Sequence, residues 1–184
     1  MKTQNKMLNT LILDVDGVLT DGIKYYDPSG HVALKTICDK DWTAIKRFRA
    51  IGINVVFITG DSYDEGILKN RNLPVIVNRG AGFHNDKINF LPQILDLYQC
   101  TADEVAYIGD DIFDIGLLGA VRYAYCVADA PLMVQEFADV LACKGGENVI
   151  MKFFEEVEHQ GIIPKVSYAD IIDKIYELDI KETF

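Results

Sequence analysis

Carboxylates and a hydroxyl follow three separate apolar runs of the chain. The three stretches are Asp14-Val15-Asp16-Gly17, Thr59-Gly60-Asp61 and Gly109-Asp110-Asp111. If the runs are parallel strands of one sheet, these side chains meet outside the carboxyl ends of the strands, where open α/β sheets bind ligands. A single Asp-x-Asp pair is as typical of a turn as of a site. Three such stretches, each ending an apolar run at the same edge, are much stronger evidence of a functional site.

Apolar runs alternate with helical patterns along the chain, and this alternation sets the fold. The runs with the composition of buried parallel strands are residues 11–15, 54–58, 75–78, 105–109 and 124–128. The helical patterns between them are Asp41–Ala50, Ser62–Asn70, Asp86–Tyr98 and Phe113–Leu118. The order predicts an α/β fold with a doubly wound, mostly parallel sheet. Pro92 predicts either a kink in the third helix or a start later than Asp86.

Two segments depart from this alternation. Residues 23–36 contain two strand-like runs around Asp27-Pro28-Ser29-Gly30, a strong turn signal, and predict a β-hairpin that projects beyond the sheet. Near the other end, Ser167 precedes an amphipathic pattern up to Leu178 and predicts a capped helix. We therefore expect one domain over residues 1–160, with residues 161–184 as a helical extension of it.

The composition is that of an acidic globular chain. Its 184 residues carry a formal net charge of −10, so no basic field is available for nucleic acid, which we do not expect as a partner. A small anionic substrate is compatible, since local cations or a metal can reverse the field in a cleft. Four scattered cysteines predict reduced thiols. The polar start MKTQNKMLNT lacks the apolar stretch of a signal peptide, so we expect a cytoplasmic protein with no membrane partner.

The motifs resemble, in order and spacing, those of the haloacid dehalogenase superfamily. LILDVDGVLTDG is similar to the first motif, FITGD to the second, Lys87 to the third and YIGDDIFD to the fourth, so the likeness covers roughly residues 10–158. Within the superfamily the pattern is similar to the 3-deoxy-D-manno-octulosonate 8-phosphate phosphatase family, which includes phosphatases of sialic-acid-type ulosonates. The resemblance implies a Rossmann-like sheet. The intervals between the motifs are too short for a cap domain.

The resemblance also implies a magnesium-dependent phosphatase and assigns roles to residues. Asp14 would attack phosphorus and form an aspartyl-phosphate, and Asp16 would protonate the leaving oxygen and then activate water. The implied Mg²⁺ ligands are Asp14, the backbone carbonyl of Asp16, and Asp110. The implied phosphoryl contacts are Thr59, the Gly60 amide and Lys87. Asp111 and Asp114 would orient Lys87 and water near the metal, or cap the following helix, or do both.

The substrate class that the resemblance implies is a phosphorylated sugar acid, bound in a homotetramer whose subunits roof one another's pockets. Octulosonate phosphatases usually carry Arg where this chain has Asp61, whereas nonulosonate-type relatives tend to carry an acid. Asp61 would accept hydrogen bonds from sugar hydroxyls, which favours a nine-carbon 9-phosphate over an eight-carbon 8-phosphate. Lys69 is either a contact to the carboxylate in a neighbour's pocket or a solvated helix lysine.

A different class of function also fits the resemblance. Similar domains occur as oligomerisation modules attached to nucleotide-sugar (acylneuraminate cytidylyl) synthetases, with little or no activity. A decayed module is expected to lose a catalytic group, whereas this chain retains the whole set: Asp14, Asp16, Thr59, Lys87 and Asp110. The complete set favours the enzyme.

Overall fold

Six parallel strands form the central sheet of the computed structural model, which describes residues 6–80 and 83–183. In chain order the strands of the molecule are β1 (Thr10–Leu13), β2 (Tyr25–Tyr26), β3 (Val32–Leu34), β4 (Asn54–Thr59), β5 (Val75–Val77), β6 (Arg79–Gly80), β7 (Phe83–His84), β8 (Val105–Gly109), β9 (Tyr123–Cys126) and β10 (Asp139–Val140). The central sheet has the spatial order β10-β9-β8-β1-β4-β5. Counting only these six along the chain, the order is 3-2-1-4-5-6, that of the Rossmann fold. The predicted doubly wound sheet is confirmed.

The sequence of β1 shows why this sheet forms. All four of its residues are buried, and Ile12 lies between Val56 of β4 and Tyr107 of β8. A strand covered by helices on both faces needs apolar side chains at every position, so it appears as a continuous run and not as an alternation. The run ends where Asp14 begins, at the carboxyl edge of the sheet.

Seven α-helices accompany the sheet in the part of the chain that the structure describes. They are α1 (Asp39–Ala50), α2 (Glu65–Asn70), α3 (Leu91–Tyr98), α4 (Ile115–Leu118), α5 (Leu132–Gln135), α6 (Val149–His159) and α7 (Tyr168–Asp179). Short 3₁₀ turns precede α2, α3 and α4. Pro92 lies in the first turn of α3, where its missing N–H has no cost, so the helix starts late and is not kinked.

The sequence prediction omitted α5, α6, β10 and the short antiparallel pair of β6 and β7. Helix α6 is the largest of these, and it packs on α1, where Phe48 contacts the rings of Phe153 and Phe154. The Asp41 carboxylate of α1 also accepts hydrogen bonds from the first amides of α6, at Ile150 and Met151. Helices α1 and α6 together cover one face of the sheet.

The predicted hairpin is present as β2 and β3. Its turn is closed by Asp27, whose carboxylate accepts hydrogen bonds from the Ser29 and His31 amides, and by Gly30 at a φ of +85°. The hairpin forms a two-stranded sheet separate from the central one. Its large apolar side chains are exposed to solvent: Ile23, Tyr25, Tyr26 and Leu34.

Helix α7 begins after Ser167, as the sequence predicts, with a reciprocal capping box between Ser167 and Asp170. It packs against α1, and Ile171 is buried there. The four cysteines are free thiols. Within residues 6–80 and 83–183, no helix combines the length and the apolar character needed to cross a membrane. Residues 1–5, part of the segment predicted to lack a signal peptide, lie outside the described chain.

Candidate active site

A cleft of about 300 Å³ opens at the carboxyl edge of the sheet, where β1 and β8 lie side by side. This is the point where the strand order reverses, so the connections leave the sheet in opposite directions and open a crevice. The predicted site residues that line it are Asp14, Asp16, Thr59, Gly60, Asp61, Lys87, Asp110, Asp111 and Asp114. Lys69 is elsewhere: it is exposed on α2 and pairs with Glu65 at 2.9 Å.

Asp14 lies at the centre of the cleft, immediately after β1, and its side chain is almost completely buried. One carboxylate oxygen accepts the Val15 amide at 2.7 Å, and the other lies 2.6 Å from the Lys87 ammonium. Burial raises the pKa of Asp14 to about 7, although the charge of Lys87 opposes this shift. A further cation beside Asp14 would favour its charged form.

Asp110 is the second carboxylate at this point. Among the described residues its side chain has no hydrogen-bond or ion-pair partner, and burial together with the charges of Asp14 and Asp114 raises its pKa to about 8. Oxygens of Asp14, Asp110 and Asp114 all lie within 4.8 Å of one another. Gly17 is required beside them, because a Cβ there would lie 1.9 Å from Asp110 Oδ2. This crowded set of hard oxygen donors fits a divalent cation such as Mg²⁺.

Asp114 belongs to the same cluster but has its oxygens occupied. One accepts the Tyr107 hydroxyl and lies 2.6 Å from Lys87, while the other accepts the amides of Asp110 and Asp111 at 2.8 and 2.9 Å. Asp114 therefore holds both Lys87 and the backbone of the loop that carries Asp110. Each Asp114 oxygen thus has two contacts, whereas each Asp14 oxygen has one, so within the described chain Asp14 and Asp110 have more free lone pairs to offer a metal.

Asp111 has a different position from Asp114. Its carboxylate accepts the Ile112 amide at 2.6 Å and caps the short 3₁₀ turn, in a capping box with Asp114. Both sequence interpretations thus have a counterpart: Asp111 caps, and Asp114 caps while also contacting Lys87.

Lys87 and Thr59 face the cleft from two neighbouring loops. Lys87 is at the start of the 3₁₀ turn before α3 and lies between Asp14 and Asp114. Burial alone would lower its pKa, but these two carboxylates outweigh burial and raise the pKa, so the ammonium stays charged. Thr59 ends β4 and is buried, and its hydroxyl accepts the Asp61 amide at 3.1 Å. The pair offers a cation and a hydroxyl to an anion.

Asp16 and Asp61 form a second charged group with two lysines of the hairpin, Lys24 and Lys35. We call these two residues the hairpin lysines. Asp16 accepts Lys24 on one oxygen and Lys35 on the other, each at 2.8 Å. Asp61 contacts the same lysines at 2.8 and 3.1 Å. Burial alone would raise the pKa of Asp61. Hydrogen bonds from Lys24, the Tyr63 amide and Lys35 outweigh burial and hold this pKa well below its usual range.

The hairpin lysines were not singled out as site residues by the sequence prediction. A signal was present, because the predicted turn brings them together. Tyr25 pairs with Leu34 in the hairpin, and Lys24 and Lys35 are the next residues on each arm. The cleft is also lined by Asn78, Arg79 and Phe113, which were not predicted either. Asn78 ends the predicted run 75–78, so the strand-end rule would have found it.

Comparisons with known sequences agree with this geometry. A model of the haloacid dehalogenase-like hydrolase family matches residues 82–154. The chain is 33% identical over 162 residues to the 3-deoxy-D-manno-octulosonate 8-phosphate phosphatase KdsC of Haemophilus influenzae, covering 85% of this chain and 86% of that protein. It is 32% identical over 144 residues to the enzyme of the same name from Yersinia pestis, covering 78% and 75%.

Solved structures give the same result. The cobalt-bound deoxy-D-mannose-octulosonate 8-phosphate phosphatase of Haemophilus influenzae superimposes with a TM-score of 0.78 at 28% identity, covering 92% of this chain and 96% of that one. The 3-deoxy-D-manno-octulosonate 8-phosphate phosphatase of Yersinia pestis gives 0.73 at 29% identity, covering 83% and 81%. The chain therefore belongs to the haloacid dehalogenase superfamily and, within it, to the 3-deoxy-D-manno-octulosonate 8-phosphate phosphatase family of phosphoric monoester hydrolases.

Proposed function

We propose that the chain hydrolyses the phosphate monoester of a 3-deoxy-ulosonate sugar acid, with Asp14 as nucleophile and Asp16 as acid–base. The observation that carries this proposal is the position of Asp14. Its carboxylate lies at the strand-order reversal, between a buried lysine 2.6 Å away and the carboxylate of Asp110, for which residues 6–80 and 83–183 provide no hydrogen-bond or ion-pair partner. Asp16 follows two residues later and lines the same cleft.

Phosphoryl transfer needs an in-line nucleophile and neutralised charge. In the first step an Asp14 oxygen forms a bond to phosphorus as the bond to the sugar oxygen breaks, and Asp16 donates its proton to that oxygen. In the second step Asp16 takes a proton from water, the water oxygen binds phosphorus, and Asp14 leaves as a carboxylate. Thr59, the Gly60 amide and Lys87 hold the phosphoryl oxygens throughout.

The residues that would hold Mg²⁺ are Asp14, Asp110 and the backbone carbonyl of Asp16. When bound there, the metal supplies positive charge that neutralises the phosphoryl group and orients it. The all-oxygen donor set supports a hard cation, and the relative from Haemophilus influenzae was solved in a cobalt-bound form. Asp114 would keep Lys87 and the Asp110 loop in place.

The relatives' names support a sugar-acid phosphate as the substrate. Asp61 distinguishes the eight-carbon from the nine-carbon sugar acid as substrate, because it replaces an arginine that octulosonate phosphatases usually carry. Its carboxylate lines the cleft and is held by the hairpin lysines, so it can accept hydrogen bonds from sugar hydroxyls but cannot pair with a carboxylate. This favours a nine-carbon ulosonate 9-phosphate, followed by the eight-carbon 8-phosphate.

A kinetic panel tests the substrate proposal. We expect both ulosonate phosphates to exceed simple hexose phosphates and nucleotides by at least tenfold in kcat/KM, which is about 1.4 kcal/mol in transition-state binding. A tenfold advantage of hexose phosphates or nucleotides would contradict the sugar-acid proposal. A preference for the octulosonate would show that Asp61 has been misinterpreted, while leaving the sugar-acid class intact.

Assembly is the second part of the proposal. The hairpin exposes Ile23, Tyr25, Tyr26 and Leu34 together, more apolar surface than an isolated flap usually leaves in water. We infer a homotetramer whose hairpins pack together and whose subunits roof one another's clefts. Lys69 is exposed on α2 and pairs with Glu65, so both interpretations of it stay open: a contact to the carboxylate in a neighbour's pocket, or a solvated helix lysine.

Light scattering at micromolar concentration tests this assembly, and we expect the mass of four chains. Replacing Tyr25 and Tyr26 by Lys should give smaller species with reduced activity, because charge is costly in an apolar interface. The matched control is Leu132→Lys, which changes a side chain that is 80% exposed and outside the hairpin. A fully active monomer would contradict the tetramer.

A further inference from the structure

Lys35 is buried at the base of the hairpin and contacts three carboxylates. Its side chain is 2% exposed, and its ammonium lies 2.6 Å from Asp64, 2.8 Å from Asp16 and 3.1 Å from Asp61. It is absent from the residues that line the cleft. Substrate in the cleft therefore meets Asp16, whereas Lys35 lies behind it.

Asp64 fixes Lys35 in this position. The Asp64 side chain is also 2% exposed, and it lies in the short 3₁₀ turn that precedes α2. Moving Lys35 away would leave the Asp64 carboxylate buried without its ion-pair partner, which is strongly unfavourable. Burial alone would lower the pKa of Lys35. The hydrogen bonds and charges of Asp16 and Asp64 outweigh burial and raise this pKa, so Lys35 stays cationic. The pair is a rigid anchor between the hairpin and the catalytic edge.

Asp16 depends on this anchor for its orientation. The polar partners of its carboxylate within the described chain are Lys24, Lys35 and a long contact of 3.4 Å from the Thr20 hydroxyl. Lys24 is one-quarter exposed and lines the cleft, so substrate and water compete for it. Lys35 is the contact of Asp16 that is both charged and shielded.

We propose that Lys35 is a positioning residue for the reaction: it acts through Asp16, whose carboxylate it holds facing the cleft. This inference rests on the proposed acid–base role of Asp16. It makes the hairpin part of the chemical apparatus of its own subunit, in addition to any role in assembly.

The test exploits the leaving group. A sugar alkoxide is a poor leaving group and needs a proton from Asp16, whereas nitrophenolate departs without one. Lys35→Met should lower kcat/KM for 3-deoxy-D-manno-octulosonate 8-phosphate by about 10²-fold, within the usual range for acid catalysis, and kcat/KM for p-nitrophenyl phosphate by much less. Lys35→Arg, which keeps the charge, should recover part of the loss. A general distortion of the site would lower kcat/KM for both substrates alike.

Lys35→Met leaves Asp64 buried without its partner, so a second variant guards against misfolding. The double variant Lys35→Met with Asp64→Leu removes both charges, and replacing a buried ion pair by apolar residues is often tolerated. It should fold and retain the selective loss. Lys152→Met is the matched control, because it breaks an exposed pair with Glu155 on α6, and both substrates should be unaffected.

The outcomes separate this inference from the proposed function. Asp16→Asn should show the same leaving-group dependence, to a larger degree. If Asp16→Asn lowers kcat/KM equally for both substrates, the role of Asp16 as the acid is wrong and the positioning role of Lys35 falls with it. A second outcome is that Asp16→Asn lowers kcat/KM mainly for the sugar phosphate, while the folded Lys35 variants lower kcat/KM equally for both substrates or for neither. In that case Lys35 has no positioning role and the proposed function stands.

Discussion

We expect Asp14→Asn to abolish turnover of every phosphate monoester while leaving the chain folded. The carboxamide cannot form an acyl-phosphate, and the site also loses a charge that faces Lys87 at 2.6 Å. Removal of the covalent nucleophile of a serine protease lowers kcat by about 2 × 10⁶-fold, and we expect a loss of several orders of magnitude. Rapid-quench measurement with the wild type should detect phosphate covalently attached to the protein, and the variant should show none.

The matched control is Asp103→Asn, an exposed carboxylate far along the chain whose partner is Lys6 at 3.5 Å. It should change neither kcat nor KM. Circular dichroism and thermal melting establish that both variants are folded. Lys87 retains Asp114 as a partner in the Asp14 variant, so the interior does not contain a stranded charge. Appreciable turnover in a folded Asp14→Asn protein would place the nucleophile elsewhere.

Most of the central cleft was predictable because it depends on topology and not on side-chain detail. Asp14, Thr59 and Asp110 each follow an apolar run, and parallel strands bring their carboxyl ends to one edge whatever the helices between them do. The apolar runs themselves are clear in the sequence because burial on both faces requires an apolar residue at every position. The order of the strands then places Asp14 next to Asp110.

The rest of the site depends on distances that no local pattern encodes. Whether Asp111 or Asp114 contacts Lys87 is decided by the 3₁₀ turn after β8, which points Asp114 inward and leaves Asp111 exposed. The ion pairs of Lys24 and Lys35 likewise depend on how far two side chains reach from the hairpin. Sequence placed the hairpin, but its contact with Asp16 is a tertiary feature.

The elements that were missed divide into two kinds. Strands β6, β7 and β10 have two residues each and helix α5 has four, too few for any periodicity to show. Helix α6 is different, since its buried positions repeat at helical spacing: Val149, Ile150, Phe153, Phe154 and Val157. That signal was readable. The local pattern does not show that α6 packs on α1, because that contact depends on the tertiary structure.

Removing divalent metal should lower activity on the order of 10²-fold or more, since a bound cation supplies several kcal/mol of charge stabilisation in such reactions. Magnesium should restore it, and calcium should not, because its larger and looser shell does not hold an in-line geometry. A readout independent of activity is the melting temperature. Magnesium at 100 times its dissociation constant should stabilise the fold by about 2.7 kcal/mol.

Asp110→Asn isolates the origin of this stabilisation. Burial and the charges of Asp14 and Asp114 already disfavour the Asp110 carboxylate, so its removal should leave the metal-free melting temperature unchanged or higher. The same change should abolish the upward shift that magnesium causes, together with activity. Asp103→Asn again serves as the control and should keep the full shift. If chelated wild-type protein remains fully active, or if magnesium stabilises Asp110→Asn as much as the wild type, the metal site is not formed by Asp14 and Asp110.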